Sequence, residues 1–406
     1  MPPLACRSCP TATDDPVTDN PVMALLELSC ARCGASHDPA QLHGRCSCGG
    51  TLLAGYEGVT KADLATAAAR DPGLWRFREL LPVAGDPVSL GEPETPLVSA
   101  PRLSERLGVE VFIKDDSLLP GGTFKARGAA VGLTRAAGLG VERIVMPSAG
   151  NAGGAWALYA ARAGIEITVT MARSAPLANQ KEVALAGGNL VLVEGTIADA
   201  GIRAKEIAAD RGAFLASTFA EPYRVEGKKT AWLETFMQLG DDTSMVLPKT
   251  IVLPVGGGVA AVAAAKAAEE VIRSGWTSGR SRAPRLVGVQ PEDCAPIVRA
   301  FERGDKTVAA WPGEPSTIAA GLRVPAPSEG DLVLDRIRAS GGTMVAVSEK
   351  DIVAAVADLA ATEGLFACPE GAATLPAAAR MAAAGSLEGP VVLYNTGSGV
   401  KYLDAL

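Results

Sequence analysis

From residue 111 onward the chain alternates short β-rich runs with helical runs, and this rhythm limits it to a few architectures. "VEVFIKDD" reads as a strand and "RGAAVGLTRAAGLG" as a helix; "VERIVMPS" then precedes "NAGGAWALYAARAG". "IEITVTMA", "NLVLVEG", "KTIVLPV", "PRLVGVQ" and "GPVVLYNTG" repeat the strand pattern, with helical stretches between them. Strands separated by helices of about ten to fifteen residues form crossover units, and crossover units build largely parallel sheets. The expected fold is therefore α/β, with helices on both sheet faces and a ligand in the crevice at the carboxyl ends of the strands. Aromatic residues make up only 4% of the chain, so the core must be built from Ala, Val, Leu and Ile.

The first part of the chain differs. Residues 1–22 are rich in Pro, Asp and Thr and read as a disordered tail. Met23 opens an apolar stretch and reads as an alternative start. Six of the eight cysteines fall in the first 48 residues: Cys6, Cys9, Cys30, Cys33, Cys46 and Cys48. With no secretory signal the default location is the cytoplasm, where clustered cysteines favour metal over disulfides. "CARCGASHDPAQLHGRCSCGGTL" holds two short cysteine turns, each followed by glycine, as a tetrahedral zinc site requires. Cys30, Cys33, Cys46 and Cys48 are the candidate ligands, and His43 or the Cys6/Cys9 pair compete for a place. Cys294 and Cys368 read as small buried hydrophobes. The formal net charge is −7, which argues against nucleic acid or a membrane surface as partner. No apolar run is long enough to span a bilayer.

If ligands bind at strand ends, four strand-to-helix loops carry the chemistry. "LPGGTFKARG" places Lys125 at the start of a helix, where partial burial would lower its pKa and suit imine formation. "MPSAGNAGG" forms an anion-ready cup at a helix N-terminus, with Ser148 and Asn151 either binding a carboxylate or capping the helix. "LPVGGGVAA" lets the backbone wrap a phosphate at another helix N-terminus, although close strand-to-helix packing would use the same glycines. It lacks the spacing and the GK[ST] of a nucleoside-triphosphate loop. "YNTGSGVKY" holds the hydroxyls of Thr396 and Ser398 in a glycine-rich turn. An amine, a carboxylate cup, a phosphate cup and a neutral hydroxyl are together what pyridoxal 5′-phosphate and an amino acid require.

The order and wording of these loops resemble fold-type II pyridoxal-phosphate enzymes, and within them the threonine synthases. "WRFRELLPV", "VSLGEPETPLV", "FKARGA", "SAGNAGG", "EPYRVEGKKT", "TIAAGLRVP", "EGLFACPEGAA" and "NTGSGVKY" carry the resemblance across about residues 28–403. The resemblance implies a Schiff-base role for Lys125, with Phe124 near the cofactor ring. It assigns the ring oxygen to Asn151, the phosphate to Gly256, Gly257, Gly258 and Val259, and the pyridine nitrogen to Thr396. Ser148, Ala149, Gly150 and Asn151 would take the substrate carboxylate, with Arg224 on the substrate side. It also implies a homodimer and a two-lobed body. The large lobe would comprise 57–116 and 217–406 and the small lobe 117–216, with a zinc-ribbon-like segment at 23–56. The expected reaction converts O-phosphohomoserine and water to threonine and phosphate. The alternative is β-elimination or β-replacement on serine-, threonine- or O-phosphoserine-like substrates, of the dehydratase or cysteate-synthase kind. Two departures bear on that choice. Ala126 stands where the family commonly has aspartate, giving FKARG for FKDRG. Glu221 stands where it often has asparagine, and it would repel a substrate phosphate unless Arg224, Lys228 or Lys229 compensates.

Overall fold

The β-branched runs become strands close to where their composition places them. The computed structural model describes residues 27–279 and 281–406; the tail at 1–22, Met23, Cys6 and Cys9 lie outside the described residues. Near the N-terminus, β1 (Glu27–Cys30), β2 (Ser36–His37) and β3 (Leu52–Gly55) form an antiparallel sheet in the order β2-β1-β3.

Two larger sheets follow. One comprises β4 (Leu97–Ser99), β5 (Val111–Asp115), β10 (Thr250–Pro254), β11 (Arg285–Pro291), β12 (Thr343–Val347) and β13 (Val391–Asn395), in the order β12-β11-β10-β13-β5-β4. The other comprises β6 (Arg143–Pro147), β7 (Glu166–Ala172), β8 (Asn189–Val193) and β9 (Phe214–Leu215), in the order β8-β7-β6-β9. All ladders in both sheets are parallel except β4 against β5, where the short first strand pairs antiparallel at the edge. The parallel-rich α/β expectation thus holds, with an antiparallel edge strand that the sequence pattern had not revealed.

Alanine does much of the packing that aromatics do elsewhere. The helix Val259–Arg273, "VAAVAAAKAAEEVIR", buries nearly all of its residues. Small side chains let its backbone approach its neighbours closely, and each residue of this kind loses little rotamer freedom on folding.

A second helix, Tyr223–Leu239, is buried along its whole length from Tyr223 to Met237. It crosses the helix Lys125–Gly138 backbone to backbone. A Cβ on Gly227 would lie 2.0 Å from the carbonyl oxygen of Arg127, and one on Gly128 would lie 3.1 Å from Arg224 Cβ. This crossing sets the positions of the N-terminal two turns of both helices, and hence of Lys125 and Lys228. Gly227→Ala is expected to cost about 3 kcal/mol, because a backbone oxygen cannot move aside as a side chain can. The denaturant midpoint of purified protein would show it.

Buried charge fixes the same crossing. Arg127 is fully buried and pairs with Asp116 (Nε to Oδ2, 2.8 Å) and Glu234 (Nη1 to Oε1, 2.7 Å). Lys114 donates to Glu234 Oε2 at 2.8 Å, and Tyr394 donates to Asp116 Oδ2 at 2.6 Å. Two cations and two carboxylates balance, with their donors satisfied, which is the condition under which buried ions are tolerated.

Candidate active site

Four loops at carboxyl ends of parallel strands converge on one cavity of about 420 Å³. They follow β5, β6, β10 and β13, as the crevice rule requires. Phe124, Lys125, Ser148, Ala149, Gly150, Asn151, Gly256, Gly257, Gly258, Val259 and Thr396 all line it. The amine loop and the hydroxyl loop are joined: Phe124 N–H donates to the Thr396 carbonyl at 2.9 Å, and Ser398 N–H donates to the Gly122 carbonyl at 3.0 Å.

Lys125 begins its helix, two residues earlier than the sequence pattern suggests, because Phe124 already has helical dihedrals (φ −55°, ψ −12°). Its ammonium lies 4.0 Å from the centre of the Phe124 ring. Burial drives its pKa down to about 8, while Glu370 and Cys368 act to keep the proton on. An amine of this kind is partly neutral near physiological pH and so is available as a nucleophile.

The glycine loop presents a row of free donors. Among the described residues no acceptor takes the backbone N–H groups of Gly256, Gly257, Gly258 or Val259. They sit at the N-terminus of Val259–Arg273, where the helix dipole favours an anion. A side chain cannot be added behind the loop. A Cβ on Gly256 would lie 2.2 Å from the Gly321 carbonyl, and Gly258 has φ +83°.

In the second cup Ser148 serves the backbone, accepting from Gly150 N–H (3.1 Å) and Gly153 N–H (2.8 Å). Asn151 donates through Nδ2 to Tyr402 Oη at 2.9 Å, and its Oδ1 is buried without a partner. Tyr402 donates onward to Glu370 Oε1 at 2.6 Å, and Gly321 N–H donates to the same oxygen at 2.8 Å. Glu370 Oε2 is likewise buried and unpartnered. Thr396 Oγ1 lies 3.4 Å from Cys368 Sγ. Cys368 is buried as expected, but it sits against the site.

The basic residues of "EPYRVEGKKT" separate. Arg224 does not line the cavity; its Nε pairs with Glu221 at 3.2 Å, its Nη2 donates to the Ala216 carbonyl at 2.7 Å, and its guanidinium stacks 4.8 Å from the Trp156 ring. Lys229 points elsewhere, 2.6 Å from Glu226 Oε2 and 2.6 Å from Glu270 Oε2. Lys228 lines the cavity, 4.7 Å above the same Phe124 ring, and among the described residues no carboxylate pairs with it. Burial, followed by the charges of Lys125 and Arg224, pushes its pKa well below the lysine range. Glu221, neutralised by Arg224, is not a cavity residue, and neither is Ala126, which is fully buried in the core.

Glu370 and Tyr402 are therefore cavity residues whose roles sequence reasoning had not assigned, and of the three basic residues it had left open beside Glu221 only Lys228 reaches the cavity. Each stands inside a motif that was read for a different residue, and Glu370 is the sole carboxylate among the described residues of the cavity wall.

At the other cluster, the Sγ atoms of Cys30, Cys33, Cys46 and Cys48 all lie within 4.8 Å of one another. Cys30 Sγ to Cys48 Sγ is 3.5 Å and Cys33 Sγ to Cys46 Sγ is 3.7 Å, too far for a disulfide bond. His43 stays out of the cluster, with its Nε2 2.7 Å from the Asp38 carbonyl.

Comparison with known proteins agrees with this geometry. The family described as "Pyridoxal-phosphate dependent enzyme" matches residues 88–397. The threonine synthase of Methanosarcina acetivorans is 33% identical over 356 residues, covering 86% of this chain and 85% of that protein. That of Methanocaldococcus jannaschii is 32% identical over 385 residues, covering 93% of each. Among solved structures, maize serine racemase superposes with a TM-score of 0.64 at 23% identity over 75% of this chain and 88% of that one, a likeness of fold. A threonine deaminase from tomato, Solanum lycopersicum, gives 0.61 at 23% identity over 75% of this chain and 83% of that one, again a likeness of fold. Among the described residues no helix is long and apolar enough to cross a membrane. The match over most of the length, on the loops that meet around Lys125, places the chain in the pyridoxal-phosphate dependent enzyme family.

Proposed function

We propose that this protein is a threonine synthase, converting O-phosphohomoserine and water to threonine and phosphate. The observation that carries the reading is the buried Lys125 amine in a cavity that also has a phosphate cup and a second lysine, Lys228, with no carboxylate partner among the described residues. The cavity suits the cofactor: free N–H groups meet a phosphate, the Asn151 amide gives only one of its two Nδ2 hydrogens to Tyr402 and has the other for a ring oxygen, and Lys125 is an amine of suitable basicity. Lys125 would hold the cofactor's aldehyde carbon, Gly256 to Val259 its phosphate, Asn151 its ring oxygen and Thr396 its ring nitrogen, with Phe124 beside the ring. Bound there, pyridoxal phosphate supplies an electron sink that stabilises negative charge on the substrate's carbons.

The chain's own groups do the rest. The cup Ser148–Ala149–Gly150–Asn151 orients the substrate carboxylate at a helix N-terminus. Lys125 then takes the proton from the α carbon, and its moderate basicity allows the proton to be returned. Lys228 receives the substrate's distal phosphate, and the dianion offsets the burial and like charges that press its pKa down, so that the amine holds its proton once substrate is bound. Arg224 acts behind the wall by cancelling Glu221, which would otherwise place a bare carboxylate beside the anion.

Incubating purified protein with O-phosphohomoserine, L-threonine, L-serine and O-phosphoserine separates the readings. Equal amounts of phosphate and threonine from the first substrate alone support the synthase. Keto acid made from threonine or serine would replace it with the elimination reading. Lys228→Gln is expected to raise KM for O-phosphohomoserine by about tenfold or more, in proportion to a lost charged hydrogen bond. Steady-state kinetics with the cofactor spectrum as a control would read it.

The four-cysteine cluster is assigned to structural zinc. A tetrahedral ion with Zn–S bonds of about 2.3 Å sets its sulfurs about 3.8 Å apart, close to the two spacings found here. Elemental analysis is expected to give about one zinc per chain, and Cys33→Ser to lower it.

A further inference from the structure

The wall of the cavity includes one residue of the N-terminal cysteine-rich segment. Arg45, immediately before Cys46, lines the cavity that contains Lys125. Its Nη1 donates to the Gly49 carbonyl at 2.8 Å, inside the second cysteine turn, and pairs with the Glu329 carboxylate. Among the described residues no partner takes its Nε or Nη2, and the side chain is 27% exposed at the rim. A guanidinium held along one edge leaves its other donors free for a planar or tetrahedral anion.

The segment that carries Arg45 is fastened to the enzyme. Thr51 Oγ1 donates to the Phe219 carbonyl at 2.8 Å, and Tyr56 Oη donates to Glu226 Oε2 at 2.9 Å. Cys30 and Cys46 belong to the main hydrophobic core. The turn that aims Arg45 is closed by the cysteines: Cys46 N–H donates to the Gly50 carbonyl at 3.0 Å, and Gly49 N–H donates to the Cys46 carbonyl at 2.8 Å. Whatever orders Cys46 and Cys48 therefore orders Arg45.

The charge count of the cavity leaves room for such an occupant. Arg45, Lys125, Lys205 and Lys228 line it, with Glu370 the sole carboxylate among the described residues of the wall and Glu329, outside it, paired with Arg45. With the cofactor in place, Lys125 is spent and the cofactor phosphate is met by backbone N–H groups. Arg45, Lys205 and Lys228 then face the space left for substrate, and Lys205 is solvent-exposed.

We propose that Arg45 is a specificity-determining residue delivered to the active site by the cysteine-rich segment: it grips the anionic group at the far end of the substrate side chain, and a thiolate-bound metal ion holds it in position. The proposal rests on the phosphorylated-substrate reading above, with Lys228 taking the anion from the wall and Arg45 from the rim. It makes the metal cluster a support of substrate recognition as well as of the fold.

The test uses the full chain, loaded with pyridoxal phosphate and zinc, and inorganic phosphate as the probe. In calorimetry Arg45→Gln is expected to weaken phosphate binding about tenfold, with the cofactor absorbance and zinc content retained. Arg45→Lys should recover part of that loss, since a point charge replaces the fork. Zinc-stripped wild-type protein that keeps its cofactor should show the same weakening, while affinity for L-threonine, whose side chain carries no anion, should not follow Arg45. Phosphate affinity within twofold of wild type in Arg45→Gln would overturn the assignment, as would a failure of the wild type to bind phosphate. Undiminished phosphate binding after zinc removal would overturn the role of the metal. If Arg45 governs phosphate binding but O-phosphohomoserine is not turned over, the synthase reading fails and the assignment of Arg45 stands.

Discussion

Lys125→Ala is expected to lower turnover by about a thousandfold or more and to remove the absorbance band of the covalently held cofactor. The magnitude follows from losing both the attachment point and the group that moves the α proton, and general acid–base catalysis alone contributes about 10² to 10⁴-fold. Protein stability should change little, because the amine makes no ion pair among the described residues. The pH dependence has a definite sign. Burial lowers the lysine to about 8, and the neutral amine is the nucleophile. Cofactor uptake by cofactor-free protein should therefore speed up as pH rises and level off above about 8. Stopped-flow absorbance would follow it. A profile that levels off only near the ordinary lysine value would mean that the amine is hydrated and not enclosed as described.

Arg127→Met carries the largest expected loss of stability, about 3–5 kcal/mol, because it leaves the two buried carboxylates Asp116 and Glu234 with Lys114 as the one cation between them. Urea denaturation would measure it, and a second change, Glu234→Gln, should restore part of the loss by removing one of the stranded charges. The acid limb gives a further check. Burial opposes ionisation of Glu234, but Arg127 and Lys114 prevail and hold it at about 2. Its ionisation therefore stabilises the fold at neutral pH, and that contribution is lost as pH falls from about 4.5 toward 2. In Arg127→Met this stretch of the stability curve should flatten.

The strands around the site were legible because their period and their bounding glycines agree. "IEITVTMA" is a buried parallel strand and reads as one. The loop residues were legible for a related reason: Gly256 and Gly258 are glycines both because the chain is crowded from behind and because the loop opens a helix N-terminus, so either reading of the sequence marks the same positions. The helix Tyr223–Leu239 was not legible. It is buried on all sides yet carries Arg224, Glu226, Lys228, Lys229 and Glu234, so it shows no apolar stripe. Its charges are satisfied by residues distant in sequence, and that pairing has no local signature. The same cause left Arg224, Lys228 and Lys229 indistinguishable in the sequence. Two adjacent lysines in "GKKT" look alike, but one turns to Glu226 and Glu270 while the other turns to the cavity. Glu370 and Tyr402 needed the third dimension as well, since they meet across 32 residues. Glu221 was read from sequence as repelling a phosphate unless Arg224, Lys228 or Lys229 compensated, and Arg224, three residues on, is the one that pairs with it.

The central claim is that water adds to the β carbon while the phosphate leaves from the γ carbon with its bridging oxygen. Supplying O-phosphohomoserine in isotopically labelled water tests it directly by mass spectrometry. Label is expected in the threonine hydroxyl and the phosphate is expected to be unlabelled, in equal amounts, with both products lost in Lys125→Ala. Label in the phosphate, or its release without threonine, would contradict it.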